Sequence, residues 1–289
     1  MARSRTLAFI LLLLFALAFW WNALADTFHL AWSNEAYSHI ILILPLSLAL
    51  IYLDSKTVRP AIEPAWLGGP FLLLVALALG CAARWGGELA PGALRPDLRL
   101  TLSLFAFVLW SIASVLLCFG LATVRAFLFP LCFLFWLVPL PDAVVNRIIA
   151  FLQMGSALAT RWLFELTRVP VSQNGVFLSF PGGFTVEVAP ECSSIRSSMV
   201  LMVITMILAH LFLRSWQRKV LVVLLAIPLA VAKNALRIFV IVGLALRVNR
   251  DYFNGDLHHR GGVVFLMAAL AMVGALLWLL ARTEPVGSS

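Results

Sequence analysis

Long apolar runs separated by short polar interruptions make up most of this chain. They cover approximately residues 7–25, 38–53, 66–83, 100–122, 126–140, 194–213, 220–246 and 261–281. Most are about 16 to 24 residues long, and a helix rising about 1.5 Å per residue needs about 20 to cross hydrocarbon about 30 Å thick. None shows the two-residue alternation of a barrel strand, so the spans are read as helices. The pattern predicts an all-α polytopic membrane protein of about eight transmembrane helices, forming a single membrane domain over residues 1–289.

One segment breaks the pattern. Between Pro141 and Pro190 the composition turns mixed, and the segment is read as an extramembrane element. Residues 143–166 set Val144, Ile148, Leu152 and Leu158 among Asn146, Arg147, Gln153, Arg161 and Glu165. This predicts an amphipathic helix, either lying at the interface or packing over the bundle. Residues 169–188 alternate β-branched and aromatic positions with turn formers at Asn174-Gly175 and Pro181-Gly182-Gly183, which predicts a short β-hairpin on the outer face.

Composition agrees with the runs. The chain is 63% hydrophobic and 12% charged, too little polar surface to cover a water-soluble globule. Its formal net charge of +8 is scattered through loops and helix ends, which suits headgroup anchoring and excludes a nucleic-acid stripe. Lys56 with Arg59, and Arg214 with Arg218 and Lys219, mark cytoplasmic turns and set the orientation. Arg84, Arg95, Arg99, Arg247, Arg250 and Arg260 then fall in segments read as outer, against the charge bias. Asn22-Ala23-Leu24-Ala25-Asp26 also fits a signal-peptide cleavage site, but the preceding run is longer than the usual apolar region, so an uncleaved first span is expected. The loop expected after it, residues 26–38, holds His29.

Cys81, Cys118 and Cys132 lie inside apolar runs, where a small hydrophobe is expected. Cys192 does not. It sits in Val188-Ala189-Pro190-Glu191-Cys192-Ser193-Ser194-Ile195-Arg196, at the start of an apolar run, where the positive end of a helix favours a thiolate. Helix rise places it roughly 33 Å from Arg214, and places Arg237 roughly 27 Å from Lys219, so both reach the outer boundary. His258 and His259 precede the last span on that side. Near hydrocarbon a cation costs about 2.5 to 3.5 kcal/mol unless it is paired or faces a polar cavity. Arg237 therefore marks a site, a snorkelling anchor or an ion pair with Glu187 or Glu191. Asn234, three residues earlier, shares its helix face. Lys233 fits a surface site least well. His210 is read as an interhelical hydrogen-bonding residue, His39 is left unassigned, and no metal-ligand spacing or cofactor motif is present, so no cofactor is expected.

The ordered set Cys192-Ser193-Ser194-Ile195-Arg196, Asn234-Ala235-Leu236-Arg237, and His258 with Gly262 and Phe265 resembles the exosortase/archaeosortase family of membrane cysteine transpeptidases. Tyr37-Ser38-His39 and Val138-Pro139-Leu140-Pro141 add to the likeness, which spans most of the chain. The family's catalytic Cys, Arg and His fall on Cys192, Arg237 and His258, with His259 as the alternative histidine. Ser194 stands where the family commonly has glycine. The resemblance implies cleavage of exported proteins that carry a C-terminal sorting signal: a short motif, often Pro-Glu-Pro, then an apolar helix and a basic tail. It also implies a site on the outer face of a bacterial inner membrane and an acceptor nucleophile of unspecified type. Asn234 and Arg196 are expected to support the site. Two rival readings are a small transporter or lipid-binding protein with a polar path through Lys233, Arg237 and Glu191, and a noncatalytic envelope-assembly protein.

Overall fold

The computed structural model describes residues 2–58, 60, 65, 67–89, 94–188, 195–247 and 262–284. It is predominantly helical and forms two compact units, residues 1–144 and 145–289. Among the described residues, seven helices are long and apolar enough to cross a membrane, or eight if one bent pair counts as a span. The expected all-α polytopic architecture holds, although the spans are not all the expected ones.

In the first unit the predicted first span is broken. α1 (Ala2–Phe19) and α2 (Trp21–Ser33) meet at a 67° bend, and α2 carries helix through His29, which the pattern left in a loop. A 3-10 turn at Glu35–Tyr37 leads into α3 (Ile40–Thr57). α4 (Gly68–Leu89) packs along α5 (Pro96–Phe119), and α5 also receives α1, whose Leu12 carbonyl accepts from the Trp110 indole at 3.0 Å. The predicted fifth span is absent as a continuous helix. It is α6 (Leu121–Ala126), α7 (Leu128–Phe133) and a 3-10 turn at Leu134–Leu137, ending in extended chain at Val138. Carbonyls freed by these breaks are capped by side chains from other elements. Ser47 donates to Pro130 at 2.8 Å, Thr101 to Pro139 at 2.8 Å, and Tyr37 to Leu140 at 2.9 Å. Capping is required because an unsatisfied backbone group costs several kcal/mol in hydrocarbon.

α8 (Asp142–Leu166) carries the chain into the second unit. It is amphipathic as expected, yet long and apolar enough to cross a membrane. It runs alongside α10 (Trp216–Arg247), with Gly155 against Val231 and Phe164 against Phe239. The predicted hairpin gains a strand, because both turn sequences are used. β1 (Ser172–Asn174), β2 (Phe177–Phe180) and β3 (Phe184–Glu187) form an antiparallel sheet in the order β1-β2-β3. Gly175, Gly182 and Gly183 take positive φ at its turns, a conformation that glycine adopts without steric cost.

Leu178, Phe180, Val186 and Val188 of the sheet segment pack with Phe164, Ile238 and Val242 in one core. A second core joins α9 (Ile195–Phe212), α10 and α11 (Gly262–Arg282) through Leu201, Ala209, Val222, Ala230, Ala269, Val273 and Leu277. Many large side chains elsewhere stay exposed, Val263, Val264, Met267 and Trp278 on α11 among them. This is the distribution of a helix that faces lipid tails.

The end of α11 latches onto the start of α10. The Glu284 carboxylate accepts from the Ser215 N–H at 3.0 Å and the Arg214 N–H at 3.1 Å, while Arg218 donates to the Thr283 carbonyl at 2.9 Å. These bonds to backbone N–H groups hold the Glu284 pKa below its ordinary value of 4.5. Because the folded pKa is the depressed one, the latch stabilises the fold fully above pH 4.5 and loses that contribution as pH falls through the folded value. Replacing Glu284 with Gln is expected to remove this acid-sensitive component, seen as a flatter dependence of melting temperature on pH in detergent.

Two glycines make opposite predictions. A Cβ on Gly69 would lie 2.7 Å from the Leu117 backbone, whereas one on Gly274 would meet nothing within 4 Å. Gly69→Ala is expected to destabilise by about 1–3 kcal/mol, and Gly274→Ala to stabilise by up to about 1 kcal/mol through helix propensity. Thermal unfolding of the two variants checks both signs.

Candidate functional site

Cys192, Ser194, His258 and His259 lie outside the described residues, whereas Arg196, Asn234, Arg237 and Lys233 lie within them. Arg196 sits exposed in the first turn of α9, four residues after Cys192 in sequence. Arg237 lies in the later half of α10, half-buried.

The first described residue after the histidine pair is Gly262, and it lies beside Arg237. A Cβ built on Gly262 would fall 4.0 Å from an Arg237 guanidinium nitrogen. The start of α11 and the later half of α10 therefore meet, so the chain returns to Arg237 three residues after His259. A side chain at Gly262 would begin in ordinary van der Waals contact with the guanidinium.

Asn234 is buried, 1% exposed, and its amide donates to the Ser156 hydroxyl on α8 at 2.9 Å. One turn further along α8, Thr160 donates to the Ala235 carbonyl at 3.3 Å, and Gln153 donates to the Val188 carbonyl at 2.8 Å. α8 thus holds both α10 beside Arg237 and the strand segment that leads toward Cys192. The small and hydroxyl residues Gly155, Ser156 and Thr160 form one face that admits α10 closely. This is a small-residue packing signal that the reading of 143–166 as an amphipathic helix overlooked.

Lys233 was the residue least suited to a surface site. It is buried, and its ammonium donates to the Ser197 hydroxyl in the first turn of α9. The contact ties α10 to α9 two residues after Ile195, where the helix that follows Cys192 begins. A transport path would need Lys233 facing a polar conduit, and it is instead engaged between helices. His210 occupies the last turn of α9. His39 opens α3, buried, with its ring edge-on to Trp136 at 5.8 Å. Cys81, Cys118 and Cys132 lie in α4, α5 and α7 with free thiols. Among the described residues no group of three or more His, Cys, Asp and Glu is placed to hold a metal ion.

The sequence profile of the transmembrane exosortase family matches residues 31–275, most of the chain and the whole region that carries this geometry. The chain belongs to the transmembrane exosortase family. No curated protein and no solved structure matches it. The family assignment and the membrane helices together make this exosortase a multi-pass membrane protein. The matched segment begins at Ala31, near the end of α2, and includes α8 with its sheet.

The Lys233–Ser197 contact in this exosortase generates a quantitative expectation. A hydrogen bond to a charged group contributes about 1.5–3 kcal/mol, so Ser197→Ala is expected to destabilise by about that amount. Lys233→Met should remove both the contact and the buried charge. The double variant should then cost less than the two single variants combined, as measured by a double-mutant cycle on unfolding.

Proposed function

We propose that this exosortase is a membrane cysteine protease or transpeptidase that cleaves the C-terminal sorting signals of exported proteins. The observation that carries the reading is the approach of Gly262 to Arg237, which supports a cation, a histidine pair and the Cys192 segment sharing one end of the α9–α10–α11 core. Family membership supports the same class of chemistry.

The proposed reaction begins with the Cys192 sulfur, as thiolate, attacking a peptide carbonyl beside the membrane surface. The C–N bond breaks, the departing amine takes a proton from His258, and a thioester remains on Cys192. An acceptor nucleophile, which loses its proton to the same histidine, then attacks the thioester, and the C–S bond breaks to restore the Cys192 thiolate and the protonated histidine. The covalent intermediate divides one difficult displacement into two easier ones. Arg237 supplies positive charge for the thiolate or for the developing oxyanion. Such charge is effective because it is fixed in a site of low dielectric. His259 is the alternative proton carrier, Asn234 positions Arg237 through α8, and Arg196 adds positive potential near a carboxylate of the sorting motif. A substrate of motif, apolar helix and basic tail suits the arrangement, since its helix lies in the bilayer and leaves the motif at the boundary. The charge bias of the loops supports the outer face for that boundary, and the family resemblance implies a bacterial inner membrane.

Co-expression with a substrate that carries such a tail tests the proposal. Cys192→Ala is expected to abolish processing and Arg237→Ala to lower it about a hundredfold or more, read as accumulation of the uncleaved form on immunoblots. Fully processed substrate in the Cys192→Ala cells would overturn the nucleophile assignment.

A further inference from the structure

The arginines that sit against the charge bias leave one feature that the sorting reaction does not use. Arg84 and Arg99 line a cavity of about 390 Å³ in the first unit, together with Asn22, Asp26, Ser103 and the Trp20 ring. The 67° bend between α1 and α2 builds it. The bend frees the Phe19 carbonyl, which accepts from Arg84 at 2.9 Å, and turns Asn22 and Asp26 toward the ends of α4 and α5. Gly80 makes the bend possible from the other side: a Cβ there would fall 2.6 Å from the Trp20 ring, which packs 3% exposed as the cavity floor.

The two guanidinium groups are held but not neutralised. Arg99 donates to the Ala83 and Arg84 carbonyls, both at 3.2 Å, which brings it to the end of α4 that carries Arg84. Arg84 lies over the Phe19 and Trp85 rings, each 5.6 Å from the guanidinium carbon. Arg84 is exposed, and of its N–H groups one is engaged by the Phe19 carbonyl. Each guanidinium has five donors, and the carbonyl bonds engage only a minority of them. Neither arginine is ion-paired with the described residues, and Asp26 makes no hydrogen bond or ion pair with them either. Two exposed cations and one exposed carboxylate, none of them ion-paired among the described residues, thus line the same cavity.

We propose that this cavity binds a phosphate ester bearing a primary ammonium group, with the phosphate on Arg84 and Arg99 and the ammonium on Asp26. Two guanidinium forks suit a tetrahedral phosphate, whose several oxygens accept from both, better than a single carboxylate. The volume lies in the range of small-ligand sites, about 300–1,000 Å³, and the position at the ends of apolar helices is that of a lipid headgroup layer. The ligand chemistry is phosphoethanolamine, supplied either by a membrane lipid or as a soluble ester.

Native mass spectrometry of the full-length protein in detergent tests this. The probes are phosphatidylethanolamine, phosphatidylcholine and phosphatidylglycerol of matched acyl chains, and soluble glycerophosphoethanolamine. Phosphatidylethanolamine is expected to bind about tenfold or more tightly than phosphatidylcholine, whose quaternary nitrogen has no N–H for Asp26. Arg84→Gln and Arg99→Gln should each weaken binding about tenfold or more. Asp26→Asn, which removes no bond within the protein, should abolish the preference for ethanolamine over choline while leaving the melting temperature unchanged. Competition by glycerophosphoethanolamine supports binding of the free ester, and retention of the lipid alone supports a bilayer source. Equal binding of the three lipids, or ethanolamine preference unchanged in Asp26→Asn, would overturn the proposal.

Discussion

A backbone carbonyl without a partner is more costly in hydrocarbon than almost any other defect, and the construction of this protein follows from that cost. Continuous helices satisfy themselves, so their surfaces can be almost wholly apolar, as on α11. Wherever a helix is interrupted, a polar side chain from another element is required. Arg84 answers the break after Phe19, Ser47 the carbonyl of Pro130, and Thr101 and Tyr37 the carbonyls of Pro139 and Leu140. These polar residues of the first unit therefore hold its irregular segments in place.

The same economy governs the second unit. There, Lys233, Asn234 and Arg237 cluster within about one turn of α10, and each bears on a different neighbour: Ser197 of α9, Ser156 of α8 and the start of α11 at Gly262. A cation, an amide and a guanidinium on one turn would be a severe liability facing lipid. Turned inward, they join the elements that flank the Cys192 and His258 segments. The sheet closes one side of the arrangement through an apolar core of Phe164, Phe180, Val186 and Val188, so the polar contacts are backed by packing rather than by more charge.

The cavity beside Trp20 and the α10 cluster show two settings for arginine. Arg237 lies beside Gly262 at the start of α11. Arg84 and Arg99 are anchored through carbonyls and rings, with donors directed into open space. The first arrangement suits charge developed within a reaction, the second a ligand that arrives already charged.

Hydropathy alone was sufficient for the class of protein and for α3, α4, α5, α9, α10 and α11, because span length is a property of the residues themselves. It misread 126–140 as a span and left 142–166 outside the bilayer count, because mean hydropathy does not register whether a helix is continuous or what covers its polar face. Asn174-Gly175 and Pro181-Gly182-Gly183 announced both turns of the sheet, yet the pairing of a third strand depended on what lay opposite. The role of Lys233, the meeting of Gly262 with Arg237 and the cavity beneath the α1–α2 bend were decided only in the folded chain. Each depends on contact between residues far apart in sequence, and a one-dimensional pattern carries no information about which distant surface will satisfy a buried donor.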